Sequence, residues 1–321
     1  MVALKGKLGL RPPVIKLGGS SIKYGTQAVV LGVTIDGSRS FAPHARSIGE
    51  RAAKCFGKMS RVSTASWGIR YRALRILYRG TFVATVTYAA ACWAERASLH
   101  VVRSLLLKAQ RGPLILLTKA YRTVSTSALA VLAGVLPADL EVIRAGKTDL
   151  ARESATKREL SSLRRGIWAE VETMWQQRWA SDERGSHLRR FFPTVEGRLR
   201  ATWVEPDYAT SQLLTGHGCF RWRLHGFRLC ESSVCDCGEG EEDAHHVIWE
   251  CKLYEDLRCK MLSRIELAEV GPVYYRDLVA TEANFRGLLE FAHSWQRRRS
   301  VVEEVRPARG HGREVEEWEE V

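Results

Sequence analysis

Acidic residues are nearly missing from the first 130 positions. Asp36, Glu50 and Glu95 stand there against 21 Lys and Arg, a balance of +18. A surface that basic excludes cationic partners and points to a polyanion, most simply nucleic acid. Residues 131–321 reverse the balance with 28 basic and 33 acidic residues, so the overall charge of +13 conceals two portions of opposite sign. No two Asp residues adjoin anywhere in the chain, so it lacks an Asp-Asp turn of the kind that can hold two metal ions. Long apolar runs are also missing, and none approaches the roughly 20 residues of a membrane helix. The opening M-V-A-L-K-G-K has no sustained apolar core of the kind a secretory signal carries. The expectation is an intracellular protein with no membrane partner. Proline is sparse, at nine residues, and the apolar fraction of 45% suffices for a packed core.

Eight cysteines without a secretory signal fit a reducing compartment and thiol–metal chemistry better than disulfides. Three of them lie in C-D-C-G-E-G-E-E-D-A-H-H-V-I-W-E-C, residues 235–251. Cys235, Cys237, His246 and Cys251 give the spacing C-x-C-x8-H-x4-C, which supplies four donors for tetrahedral zinc. A disulfide or a chance cluster is the competing reading. Only Asp236 separates the first two thiols, which is short for a zinc knuckle, and Gly238 lets the backbone turn beneath a metal. His245 competes with His246; x4 before the last Cys, about one helical turn, favours His246. Cys230 and Cys259 are outside candidates. The loop has too little apolar material to fold by burial, so a structural metal would supply the free energy. Four ligands close the site and leave no position for a nuclease water.

Residues 14–17, 22–24 and 28–35 read as short strands, with Gly18-Gly19-Ser20-Ser21 as a hairpin signal. Three such strands do not make a stable sheet alone and look like the edge of a sheet completed upstream. Apolar spacing predicts helices over 44–62, from about Ile69 to Trp93, and over 98–111, the last ended or kinked by Pro113. Further helices are expected around 126–134, with Ser125 or Thr126 as N-cap, and 138–160, with Pro137 at its start. Lys54, Lys58 and Arg61 lie between apolar positions of the first helix, and Arg72, Arg75 and Arg79 make a stripe at i, i+3, i+7 on the second. Trp168, Trp175 and Trp179 recur at helical spacing and read as a buried face rather than a base-stacking one. Cys219–Leu229 alternates Phe220, Trp222 and Leu224 with Arg221, Arg223 and His225, which predicts a strand with a cationic face beside the metal loop. His217 lies between two glycines, an exposed or functional position. Two helices are expected within 252–293, separated by Gly271-Pro272, and a disordered tail over 297–321.

The stretch A-Y-R-T-V-S-T-S-A-L-A-V-L-A-G-V-L-P, Ala120–Pro137, preceded by K-A-Q-R-G-P-L-I-L-L-T-K, resembles a signature of the Pol polyproteins of non-LTR, LINE-type retrotransposable elements, specifically the type-1, ribosomal-DNA-inserting elements of insects. V-V-L-G-V-T-I-D (Val29–Asp36) resembles that family's strand pair at the primer end, and T-Y-A-A-A-C-W and W-A-E-R fit as well. L-L-T-G-H-G-C-F (Leu213–Phe220) followed by the Cys/His set matches its C-terminal nucleic-acid-binding region. The resemblance spans nearly the whole chain.

The resemblance implies an α+β fragment of a reverse transcriptase and endonuclease polyprotein. Residues 1–42 would be the last palm strands, 43–150 the thumb and connector helices, 151–204 a helical linker region and 205–296 a zinc-knuckle-type region, before the tail. Leu31, Gly32 and Val33 would hold the primer end, and Lys54, Lys58, Arg61, Arg72, Arg75 and Arg79 would touch phosphates of the template-primer duplex. Arg221 and Arg223 would contact nucleic acid beside the metal. The implied partners are an RNA template, a DNA primer or target and the upstream polymerase and endonuclease parts, with action in the nucleus. Zn2+ would be structural, and Mg2+ would serve only a polymerase site that this sequence lacks, so the chain is expected neither to polymerise nor to nick by itself. The competing reading is a stand-alone zinc-dependent nucleic-acid-binding adaptor.

Overall fold

The computed structural model describes residues 15–22, 25–58, 69–267 and 271–305. Two antiparallel hairpins come first: β1 (Ile15–Leu17) with β2 (Ser20–Ile22), and β3 (Gln27–Val30) with β4 (Val33–Asp36). The stretch 28–35 is therefore two strands folded on each other, with Val30 opposite Val33. Leu31 and Gly32 form the two-residue turn and both have positive φ, 47° and 80°, which matches the twist of a tight hairpin. The expected strand at 22–24 ends at Ile22, and residues 23 and 24 lie outside the described residues. Among the described residues the hairpins join no larger sheet, and Leu17, Val29, Val30 and Leu31 face outward.

Helices dominate the rest. α1 (Ala42–Gly57) packs along α4 (His100–Thr118), where Gly49 admits the side chain of Ala109; an added Cβ would meet it at 2.9 Å. α2 (Tyr71–Tyr78) passes through a π-helical turn, Arg79–Val83, into α3 (Ala84–Val86). The expected helix to Trp93 thus stops at Val86, and Ala89, at φ 50°, reverses the chain into short 3-10 turns. α4 runs five residues past Pro113. The proline costs one ladder bond, but Leu114 and Leu117 beyond it are buried in the core and hold the helix together.

α5 (Thr126–Leu132) starts at Ser125, whose hydroxyl accepts from the Ala128 amide. The expected helix over 138–160 is two helices, α6 (Ala138–Ser154) and α7 (Lys157–Ala180). Thr156 and Glu159 form a reciprocal capping box, which satisfies the amides of a new helix and stops the old one. α8 (Ser186–Phe191), α9 (Val195–Arg200) and α10 (Tyr208–Thr215) follow. Trp175 and Trp179 are buried on α7 and Trp168 is partly exposed, so the Trp series is chiefly a packing face. No helix of the described residues is long and apolar enough to cross a membrane.

Two buried polar side chains tie the long-range joints. Gln110 donates to Tyr78 Oη and to the Leu136 carbonyl, and accepts from the Ala138 amide, each at 2.8 Å. Both its amide donors and its oxygen are thereby used to join α2, α4 and α6. Arg198 on α9 is fully enclosed. Its guanidinium donates to the carbonyls of Leu132 (2.8 Å), Ala201 (3.0 Å) and Val204 (2.9 Å) and lies over the Phe192 ring. Leu132 is the last residue of α5, so the cation sits at the negative end of that helix.

Candidate metal centre

The C-terminal region is organised by α11 (Arg221–Gly226), α12 (Glu255–Leu262) and α13 (Glu282–Val305) around the Cys/His segment. Residues 233–242 fold as a small hairpin: the Cys235 amide donates to the Gly240 carbonyl (2.7 Å) and the Glu242 amide to the Ser233 carbonyl (2.9 Å). Gly238, at φ 80°, closes the tip by donating to the Cys235 carbonyl at 2.9 Å. That conformation favours glycine and presents Cys235 and Cys237 to one side. Asp243 then caps the next helical turn, accepting from the His246 amide at 2.7 Å.

His246 and Cys251 are five residues apart. In an α-helix that step leaves them about 140° out of phase. The chain solves this with a π-helical turn, His246–Glu250, in which the Cys251 amide donates to the His246 carbonyl at 2.8 Å. The wide turn brings residues i and i+5 to the same side, and a π-turn of this kind is frequent at functional sites. One helical turn of ordinary width would not have joined them.

The donor atoms of Cys235, Cys237, His246 and Cys251 all lie within 4.8 Å of one another. Cys235 Sγ and Cys251 Sγ are 3.6 Å apart, and Cys237 Sγ is 3.2 Å from His246 Nε2. Sulfur and nitrogen donors tetrahedrally disposed about a zinc-sized cation are about 3.5–3.8 Å apart, so the set fits such an ion. His246 turns Nε2 to the thiols and Nδ1 to Glu250 Oε2, 3.3 Å away. A carboxylate on the far ring nitrogen fixes the tautomer a metal ligand needs. Without a cation, the hydrogen bond from Cys251 and then burial raise the Cys235 thiol, while the bond from Cys235 lowers Cys251.

His245 points elsewhere: Nδ1 meets Tyr275 Oη at 2.6 Å and Nε2 is 3.3 Å from Glu250. Cys230 Sγ lies against backbone carbonyls and Cys259 is exposed, and neither joins the cluster. Two latches that sequence spacing does not display hold the loop and α12 to α13. Arg299 pairs with Glu242, both buried, and Arg298 makes two 2.7 Å bonds to Asp256. Burial is the largest influence on Glu242 and keeps its carboxyl above the usual range even with Arg299 beside it. These latches correct the expected tail: α13 is helical through Val305, and residues 306–321 lie outside the described residues.

Residues 219–229 do not form the expected strand. Phe220 is buried against Trp295 with ring centroids 5.4 Å apart, and Arg221–Gly226 is a helix. Arg221 and Arg223 therefore do not share a cationic strand face. Arg221 donates to Asp236 in the hairpin tip at 2.9 Å. Arg223 donates to the Gly216 carbonyl and, at 2.8 Å, to His217 Nε2, whose Nδ1 is bonded to Thr123 Oγ1 at 2.9 Å. Burial, then Arg223 and His187, push the His217 pKa down to about 4, so its ring is neutral. The signature stretch after Ala120 and the L-L-T-G-H-G-C-F stretch thus meet in space, and Tyr121 also meets Tyr208, at the start of the helix leading into the second stretch, with hydroxyls 2.6 Å apart.

The basic residues of the N-terminal helices divide by environment. Lys54 and Lys58 follow one face of α1 into solvent, and Arg79 is exposed at the π-turn. Arg72 is exposed but paired with Glu205. Arg75 turns inward and donates to the Gly134 carbonyl at 3.1 Å, which breaks the expected stripe at its centre. Arg61 lies outside the described residues. In the hairpin turn, Val33 is buried, while the Leu31 carbonyl accepts from Tyr88 Oη at 3.0 Å and Gly32 packs against the Tyr88 ring.

No protein-family model and no solved structure matches the chain. Curated relatives do. It is 31% identical over 299 residues to the "Retrovirus-related Pol polyprotein from type-1 retrotransposable element R1 4" of Nasonia vitripennis, covering 89% of this chain and 76% of that protein. It is 34% identical over 281 residues to the R1 Pol polyprotein of Bradysia coprophila, covering 82% of this chain and 28% of the relative. With the "Putative 115 kDa protein in type-1 retrotransposable element R1DM" of Drosophila melanogaster it shares 32% identity over 319 residues, 95% of this chain and 30% of that one. The extent of these matches, together with the signature stretches joined in the fold, places the chain in the Pol polyprotein family of type-1 R1 retrotransposable elements of insects.

Proposed function

We propose that this chain is the nucleic-acid-holding, C-terminal part of a reverse transcriptase polyprotein, acting in the nucleus on an RNA template and a DNA primer or target. The observation that carries the reading is the +18 balance of the first 130 residues, with Lys54, Lys58 and Arg79 exposed on its helices. Phosphate contacts by such cations position a duplex without reading its sequence. In this reading β1–β4 belong to the palm edge, with Leu31–Val33 at the primer end, α1–α6 form the thumb and connector, and the Cys3His cluster holds structural Zn2+. The Mg2+-binding carboxylates and the endonuclease would belong to other parts of the polyprotein, since this chain carries no Asp pair.

The test is binding of the purified chain to a labelled RNA–DNA hybrid across a salt series. Each lost phosphate contact flattens the slope of log affinity on log salt by about 0.9 on a duplex. Replacing Lys54, Lys58 and Arg79 together by Gln is expected to flatten it by about 2.7 units. Unchanged affinity and slope would remove the proposal. Arg75 is not included, because its loss would leave the Gly134 carbonyl unpaired and confuse folding with binding.

A further inference from the structure

The turn that replaces the expected strand has properties that packing does not explain. α11 buries none of its side chains. Trp222, Phe227 and Leu229 are 46%, 54% and 72% exposed, although Trp93, Trp175, Trp179 and Trp295 are all driven into the core. Leaving these apolar groups in water forfeits part of the stabilisation that burial would give. Their surroundings carry no carboxylate: residues 208–230 contain no Asp or Glu, and the cation Arg228 and the polar His225 are exposed between the apolar groups. Arg223, held by a carbonyl and a neutral imidazole, lies 5.6 Å from the Trp222 ring centroid.

The metal loop beneath is the opposite. Cys235–Cys251 contains Asp236, Glu239, Glu241, Glu242, Asp243 and Glu250 and no Lys or Arg. Three thiolates would more than cancel a divalent ion, so the loop repels phosphate. It nevertheless fixes the turn: Asp236 holds Arg221, and the Glu242 carbonyl accepts from the Trp222 amide at 3.1 Å. The loop is the base on which α11 is mounted.

We infer that Trp222, Phe227 and Leu229, flanked by Arg223, His225 and Arg228, form a preset stacking platform for the unpaired bases of a single-stranded nucleic acid. Flat aromatic faces find no partner on a duplex, whose bases are already stacked. On a single strand every base offers a π-face, and the adjacent cations meet its phosphates. An apolar protein surface would bury the same rings but gives no role to a segment free of carboxylates. The inference rests on the nucleic-acid-holding function proposed above and assigns its C-terminal contact to α11 instead of to the metal loop.

The test uses the full chain with its metal and two labelled probes, an oligothymidylate and a duplex of about 20 nucleotides each, read by anisotropy over a salt series. Trp222→Ala and Phe227→Ala are each expected to weaken the single strand about tenfold, within the range for loss of one stacked base, and to leave the duplex within about twofold. Trp222→Phe should retain most of the affinity. Arg228→Gln should flatten the single-strand salt slope by about 0.7. None of these side chains is buried, so metal content and circular dichroism should not change. Binding that survives both alanine variants overturns the platform alone, as does equal loss on both probes. A wild-type chain that self-associates in sedimentation, with Trp222→Ala monomeric, overturns it in favour of a protein contact. A wild-type chain that binds neither probe removes the proposed function as well.

Discussion

Arg198 offers the sharpest test of how the helical body is closed, because two large effects oppose each other there. The side chain is 1% exposed, and its guanidinium donates to three backbone carbonyls, lies over the Phe192 ring and also meets the Tyr71 side chain. Burial accordingly pulls its pKa down from the usual arginine range. Replacement by Met keeps the stem and removes the charge. The carbonyls of Leu132 and Val204 then lose their donor, at about 1–3 kcal/mol for each one left unpaired, while the Ala201 carbonyl keeps the Val204 amide. Against that, relief of a desolvated charge returns several kcal/mol. Carbonyl pairing should win because the donor fork satisfies three separate segments, at the end of α5, after α9 and before α10. A net loss of about 3 kcal/mol follows, or about 4–5 °C in Tm for a chain of this size. Arg198→Lys, a single point donor, should fall between the two. Thermal unfolding of the three proteins decides it. An Arg198→Met melting temperature equal to or above wild type would mean that desolvation outweighs the pairing and that this account of the core is wrong.

Glu250→Gln removes the carboxylate that orients His246 while leaving all four donors; with Glu250 about half exposed, metal affinity should fall about tenfold, the low end for such partners, in competition with a chromophoric chelator. Identical affinity would show that Glu250 does not orient the ring. The pair His293–Asp207 gives a pH signature. The hydrogen bond to Asp207 raises the His293 pKa, so its contribution is complete below about 6.5 and is lost as pH rises through the raised value. Burial pushes Asp207 up, but its hydrogen bonds from His293 and Thr210 prevail and lower it, so that its share is lost as pH falls below about 3.8. The Tm difference between wild type and His293→Leu should therefore be largest between about pH 4 and 6.5 and shrink at alkaline pH. A difference independent of pH would refute the pairing. Gln110→Ala, which strands Tyr78 Oη, the Leu136 carbonyl and the Ala138 amide, should cost about 3 kcal/mol or more in urea unfolding, and a loss below about 1 kcal/mol would contradict its role as a joint.

Local chemistry was the legible part of this sequence. The four donors were readable from spacing and the cap at Ser125 from residue type, whereas the break at 155–156 was missed because helical periodicity on both sides hides the capping box of Thr156 and Glu159. The alternation from Cys219 to Leu229 misleads because a helix of six residues is too short to display a 3.6 period, and its register is set by contacts to Asp236 and Glu242. Arg75 and Arg198 cannot be told from surface arginines by sequence, since the Gly134 carbonyl that holds Arg75 lies 59 residues away and the Leu132 carbonyl, which draws Arg198 to the end of α5, 66 residues away. The π-turn at His246 is legible only in hindsight of geometry: a five-residue separation of two ligands on one helix demands it. The helical end of α13 is likewise fixed by remote carboxylates, Glu242 and Asp256.

The central claim is that a bound cation gives the C-terminal region its shape and so mounts α11 on the body. Metal content of the purified chain, with near-ultraviolet circular dichroism before and after chelation, tests it most directly. The account predicts one equivalent of zinc per chain, loss of the aromatic signal in EDTA and its recovery on adding Zn2+, as expected where metal binding supplies on the order of 10 kcal/mol of folding free energy. A chain that carries no stoichiometric metal and keeps its full spectrum in EDTA would contradict it.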